Sequence, residues 1–509
     1  MRLYFFHLFI FLLILILISI SISAATLVAE DSNISLSNIQ DLIIKNNPDI
    51  QLALLDYKLA LNDVDASKGD NTNKSNIDPS LSVAMFSKLD TLNSNSTLDN
   101  VVTHEKTKGL SMGVTKEFSY GLSMEMSVQG MHITSDSQNA FAPERYQDAL
   151  LLKTTLPILK NWGYQVKMNQ FLISNTKVLR YKEKLNGVIQ DKIEEGLNNF
   201  HQLIQAQAEI EIQKNILKYY LHLQESISSK YSLGTENNIN LLDINARVAK
   251  EQSNIIQQEN KIYNLKLKLL KLVITNSEQA KYIEQFKIDT NVNKSLSNLN
   301  SSCIEMNLNA NKKITTNTNT NTNTKIEELK YEIDENELAK IKLKNALYPE
   351  INFYVELLST GLGREHSNSF KTMYQFKYPS VEIGINLTYI LENSESQGSF
   401  SSSIVKIQNL LTKKNLEIKK LNLDLNKIQN DILTSQKELK SIQARIDNQK
   451  EKTTIKESLF KTGTIELSEF LKTIEEDGDL QKNMNQIIID CQKQITKLNK
   501  VTGNILKNI

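Results

Sequence analysis

Two hydrophobic periods take turns along this chain, and the order in which they come is given twice. Over residues 35–68, Leu42 lies ahead of Asn46-Asn47-Pro48, and Leu54, Tyr57, Leu61 and Val64 follow at spacings of three and four, which predicts helix. From Pro79 the period becomes two. Leu81, Val83 and Met85 alternate with small or polar residues, as do Leu110, Met112 and Val114. Phe118-Ser-Tyr-Gly121 predicts a turn, Leu122, Met124, Met126 and Val128 a third strand, and a last strand is expected over about 149–159. Each strand has one apolar face, as in a half-buried sheet or in a membrane barrel with lipid outside and polar contents inside.

From Tyr164 to Lys230 there is no proline, and Ile216, Tyr220, Leu223, Ile227 and Tyr231 keep a helical spacing. One helix of that length would extend about 100 Å at ~1.5 Å per residue. After Gly234, Leu241, Val248, Ile255, Ile262 and Leu269 form a heptad ladder, the signature of coiled-coil packing. Residues 276–323 interrupt the pattern and end in the alternating Thr-Asn tract Thr316 to Thr324, which reads as a linker unable to bury apolar surface. The order then repeats: a helix over about Lys325 to Ala346, a strand opened by Pro349, a loop through Gly361 and Gly363, and a strand after Pro379. Next comes a ladder of Ile404, Leu411, Ile418, Leu425, Ile432, Leu439 and Ile446, then a final helix to about Leu506.

The strongest sign of duplication lies between the long helices. Tyr231-Ser-Leu-Gly234-Thr aligns without a gap on Phe460-Lys-Thr-Gly463-Thr, and an apolar doublet follows seven and eight residues after each glycine. The expected organisation is a signal segment over 1–25, a first repeat over 26–275, a linker over 276–323 and a second repeat over 324–509.

The N-terminus supports the first of these. Met1-Arg2 precedes an apolar run to Ile22, and Ser23-Ala24-Ala25 supplies the small residues of a cleavage site; an uncleaved anchor is the alternative. Beyond residue 25 no apolar run reaches the ~18 residues that a spanning helix needs. If the mature chain crosses a bilayer it does so by strands, and because open strand edges are not tolerated in lipid, several chains would have to share one barrel.

Charge narrows the partners. With 59 basic and 58 acidic residues, the chain has no general basic face for nucleic acid or an anionic membrane surface. The two cysteines, Cys303 and Cys491, cannot build a metal cluster; a disulfide between them is compatible with an oxidising compartment, but their spacing does not argue for one. The six histidines show no ligand spacing, and no nucleophile elbow, phosphate loop or zinc motif is present, which argues against an enzyme and against a cofactor.

At the glycine turns the chain resembles the TolC family of outer-membrane efflux proteins. Gly463 followed by Glu469-Phe470-Leu471 is similar to the family's tip pattern, and Gly234 with Asn240-Leu241-Leu242 matches it except for Asn240 in the acidic position. Leu156-Pro157-Ile158-Leu159-Lys160-Asn161-Trp162-Gly163 looks like the segment by which members pass from barrel to long helix. The resemblance covers the whole mature chain. It implies a mainly α architecture with membrane β: a TolC-like long α-helical coiled-coil barrel, a β-barrel shared between three subunits, and an internal two-fold repeat. It also implies a homotrimer in the outer membrane with a large periplasmic part. That trimer would contact outer-membrane lipid, a periplasmic adaptor protein and an inner-membrane transporter, for efflux of small molecules or type I secretion of an unfolded protein.

By the same resemblance, Asn240 and Asp243 after Gly234, and Glu469 and Lys472 after Gly463, mark the periplasmic aperture. Lys472 departs from the family's acid and is expected to pair with Glu469. The opposing reading of the tips is that Gly234 and Gly463 simply end helices as left-handed caps. Trp162 and Tyr164 are candidate membrane-interface anchors. The hairpin around Gly121 exceeds the family plan of two strands per repeat, and either extends the barrel or folds beside it. The rival reading is a membrane-tethered coiled-coil scaffold without transport, distinguished by polar outward strand faces.

Overall fold

The computed structural model describes residues 36–68, 79–96, 99–136, 143–235, 237–273, 292–306 and 323–505. The proposed signal segment and most of the Thr-Asn tract lie outside them. The chain forms two units. One comprises residues up to 51, 189–318 and 424–509, and the other residues 52–188 and 319–423.

The first unit is helical. It holds α1 (Leu36–Asn46) and the start of α2 (Pro48–Lys68), separated by Asn47. Asn47 Oδ1 accepts the amides of Asp49 and Ile50, and Pro48, which has no amide to satisfy, takes the first helical position. The Asn47 amide group in turn donates to the Leu272 carbonyl at 2.9 Å. A four-residue helix, α3 (Tyr164–Lys167), precedes α4 (Asn169–Ser232), so the long helix expected from Tyr164 is interrupted once, at Met168. α4 and α5 (Asn238–Val273) form the first hairpin, and α9 (Ser394–Lys461) and α10 (Leu467–Val501) the second.

Burial confirms the heptads and adds to them. On α9, Leu425, Ile432, Leu439 and Ile446 are buried, and Ile428 and Ile442 supply the companion positions that complete a coiled-coil seam. Ile404 and Leu411, the upstream rungs in the second unit, are exposed instead, and Ile407 and Leu410 are the buried positions there, so the seam moves to a neighbouring face of the helix.

The interval expected to be linker contains a helix, α6 (Val292–Glu305). Val292, Leu296 and Cys303 are buried, and α6 packs on α10 through the Cys303–Cys491 disulfide. Gln492 donates to the Leu299 carbonyl at 2.6 Å, and Gln436 to that of Cys303 at 2.7 Å. The Ser- and Asn-rich composition of this segment hid a short apolar stripe. Asn323, near the end of the Thr-Asn tract, caps α7 (Thr324–Asn345) by accepting the amides of Lys325 and Ile326.

The second unit carries one six-stranded antiparallel sheet in sequence order: β1 (Ser80–Ser96), β2 (Asp99–Glu117), β3 (Ser123–Ser135), β4 (Glu144–Pro157), β5 (Glu350–Gly363) and β6 (Pro379–Thr388). The two repeats join where β4 pairs with β5. The turn at Gly121 forms as expected, with φ 103° and the Gly121 amide donating to the Phe118 carbonyl. The loop expected through Gly361 and Gly363 is absent. Strand β5 runs through Gly361, and a helix, α8 (His366–Tyr374), folds back on β4 and β5. Gly361 makes this approach possible, because a Cβ there would lie 1.9 Å from the Ser369 carbonyl oxygen. Ser369 Oγ closes the contact by donating to the Gly361 carbonyl and accepting the Asp148 amide.

Candidate functional site

Both tips are built by the same backbone device. Gly234 and Gly463 have φ of 72° and 73°, the left-handed conformation that favours glycine. The Gly234 amide donates to Tyr231 and the Thr235 amide to Lys230; Gly463 to Phe460 and Thr464 to Leu459 repeat the pattern. These paired bonds are a Schellman cap, satisfying carbonyls that the helix end leaves open. The capping role of the two glycines is therefore real.

Behind the caps, the two hairpins share one core. Tyr220, Ile227, Ile244 and Val248 of the first pack with Leu467, Phe470, Leu471 and Ile474 of the second. Phe470 stacks on Phe460 at 5.2 Å between ring centres and meets the Tyr219 ring edge-on at 6.0 Å. The repeats are not equivalent here: Phe470 and Leu471 are fully buried, whereas Leu242, the counterpart of Leu471, is 60% exposed.

The polar residues sort into two groups. Glu469 lies in the first turn of α10 and pairs with Lys456 of α9 at 2.8 Å, within its own hairpin. The Lys456 ammonium holds the Glu469 carboxyl below the usual carboxylate range. Lys472, expected to pair with Glu469, is exposed and does not take that place; its charge falls instead near Glu476, whose carboxyl is lowered chiefly by Lys452. One helical turn separates the side chains of residues 469 and 472, while the turn at Gly463 brings Lys456 of α9 directly across.

The second group links the hairpins. Arg247 Nη1 contacts Glu475 at 2.7 Å, and Arg247 Nε lies 3.7 Å from Asp243. Lys250 approaches the same Glu475 oxygen at 3.3 Å. Burial raises the Glu475 carboxyl, but Arg247 and Lys250 outweigh it and the net shift is downward. Next to this group, burial pushes the Tyr220 hydroxyl upward, and its oxygen has no hydrogen-bond partner. Asp243 is thus drawn into an inter-hairpin ion cluster. Asn240 is half-buried in the first turn of α5. Asp243 and Arg247 stand four apart on a predicted helix, a readable signal for the pair, but neither Glu475 nor Lys456 could be assigned without the register between helices.

In the other unit, the sheet sorts its faces by register. Leu81, Val114, Met126, Leu152, Leu357 and Val381 stand opposite one another in a single row across all six strands. Many side chains on this face are exposed, among them Leu81, Met112, Val114, Met126, Val381, Ile383 and Ile385. The opposite face carries the row Glu125, Lys153, Glu356 and Glu382, with Lys153 and Glu356 at 3.2 Å. Trp162 and Tyr164, 43% and 40% exposed, lie at the end of the sheet where β4 leaves it; exposed Tyr120, Tyr348 and Tyr389 flank the strand ends there. A tall apolar band with aromatics at its border is what a lipid-facing barrel wall requires.

Solved structures share this fold. The outer-membrane channel OprN superposes with a TM-score of 0.63 at 11% identity, over 92% of this chain and 89% of that one. The CmeC outer membrane channel of Campylobacter jejuni gives 0.61 at 12% identity, over 92% and 85%. The outer membrane protein VceC of Vibrio cholerae gives 0.62 at 10% identity, over 92% and 96%. The fold is that of the TolC-like outer-membrane channels. No protein-family model matches the sequence, and no curated protein matches it either. At these identities the likeness rests on the backbone, so the tip and the sheet of this TolC-like chain carry their functional meaning through their own residues.

Proposed function

We propose that this chain is the outer-membrane duct of an export system, three copies of which enclose one passive channel. The observation that carries the reading is the two-faced sheet: an exposed apolar band on one side, charged and polar rows on the other, and two edge strands, β1 and β6, each with one partner among the described strands. A sheet of this kind is stable in lipid only when its edges are closed by other copies. The helices support the same conclusion. On α5, exposed Leu242, Ile256 and Tyr263 keep a heptad spacing separate from the buried seam, so a second apolar stripe is available to a neighbouring subunit.

On this reading the Gly234 and Gly463 tips form the periplasmic entrance. The Asp243–Arg247–Glu475 cluster links the two hairpins there, the Glu469–Lys456 pair ties the two helices of the second hairpin across its tip, and opening breaks the inter-hairpin cluster. A periplasmic adaptor and an inner-membrane transporter deliver the cargo and supply the energy. The scaffold reading is disfavoured because it needs polar outward strand faces. Single-channel recording of the full chain in a planar bilayer tests the proposal: discrete, long-lived openings are expected, and a folded preparation that gives none, in the wild type and in the Glu469→Ala variant alike, overturns it.

A further inference from the structure

The hairpin β2–β3 has no counterpart in the second repeat, where β5 and β6 alone do the work of β1 to β4. Its place in the sheet is nevertheless central. β2 pairs with β1 from Ser80–Thr115 to Ser96–Asp99, and β3 pairs with β4 from Ser123–Thr155 to Thr134–Glu144. Without the hairpin, β1 would lose every hydrogen bond it makes in the sheet. A hairpin lying against a barrel from inside or outside would instead leave β1 beside β4.

The hairpin also obeys the facing rule of the other strands. Val114 and Met126 occupy the apolar row of Leu81, Leu152, Leu357 and Val381, and Met112 and Val128 fill the next row between Val83 and Leu150. On the opposite face, Ser111 and Gln129 stand between Ala84 and Ala149, and Gly113 and Ser127 between Ser82 and Leu151. Such agreement in register, on a face whose apolar side chains are exposed, is what six strands sharing one lipid phase and one aqueous phase require.

From these two observations we infer that β2 and β3 are part of the wall, so that each copy supplies six strands and three copies close an eighteen-stranded barrel. The inference rests on the three-copy channel proposed above. Topology allows it: β1 leaves the Trp162 end of the sheet and β6 returns to it, so β6 of one copy meets β1 of the next antiparallel, as every other pair in the sheet does. With strands ~4.8 Å apart and tilted ~40°, eighteen strands give a backbone diameter of about 36 Å, against about 24 Å for the twelve that two strands per repeat would give. The lumen cross-section is then roughly doubled, and a barrel of this strand number holds an open aqueous channel. The wall of this duct therefore sets no size limit on a small solute, and admits cargo with the girth of a peptide.

Electron cryomicroscopy of the full chain in lipid nanodiscs tests this directly, because it reads symmetry and diameter at once. A three-fold particle with a β region near 36 Å is the expected result. A three-fold particle near 24 Å overturns the eighteen-strand wall and leaves the channel reading standing; a particle without three-fold symmetry overturns both. Paired lysine variants give an independent readout. Met126→Lys on the apolar face should cut the recovery of membrane-inserted protein by about tenfold or more, whereas Ser127→Lys on the other face should leave it close to wild type. Equal recovery of the two variants overturns the placement of the hairpin in the wall.

Discussion

Glu469 and Lys456 stand 2.8 Å apart across the second tip, joining the start of α10 to the end of α9. Neither the next lysine along the helix nor the first repeat takes part. A ring of three Glu469 side chains would therefore carry its own counter-charges. Lys456→Ala should unmask the ring and raise the preference of the channel for cations about twofold, and Glu469→Ala should abolish that gain. Reversal potentials in a salt gradient measure both. Because Lys456 holds the Glu469 carboxyl below its usual range, the pair stays charged through that range, and the wild-type selectivity should be flat from neutral pH down to it and change only at still lower pH. An unchanged reversal potential in Lys456→Ala would remove this pair from the conduction path.

The Cys303–Cys491 disulfide fastens α6 to α10 across 188 residues of sequence. Closing so long a loop restricts the unfolded chain strongly, and loss of a native bridge of this kind costs about 2–5 kcal/mol. The Cys303→Ser/Cys491→Ser variant should melt several degrees lower than wild type and be cut by protease near α6, with its conductance retained. Equal melting temperatures and equal cleavage would show that the bridge adds nothing to the packing of Val292 and Leu296.

His201 is buried on α4, where desolvation, with a smaller contribution from Lys493, pushes its pKa down to about 4. In the unfolded chain its imidazole titrates near the ordinary value of 6.5. The unfolded state therefore takes up a proton that the folded state refuses, so stability falls as pH drops from about 6.5 to about 4 and is unaffected above that window. The loss from this one group is on the order of 3 kcal/mol. His201→Gln, which cannot charge, should flatten the decline of melting temperature over the window. A decline as steep as that of wild type would assign the acid sensitivity to other groups.

The sequence alone determined most of the elements and their order, because helices and strands impose their periods on the residues that form them. Leu241 to Leu269 and Leu425 to Ile446 had to be helical seams, Val381 to Leu387 had to be a two-faced strand, and the aligned Gly-Thr turns had to be equivalent caps. The tertiary structure decided every relationship that depends on register between elements. It gave Glu469 to Lys456 and not to Lys472, drew Asp243 through Arg247 to Glu475, and set β2–β3 inside the sheet. It found a packed helix where composition suggested linker, and closed the disulfide that spacing could not support. The reason is physical: a period is fixed by backbone geometry within one segment, whereas a partner is fixed by how far one segment is shifted against another, and that shift is settled by the packing of the whole core.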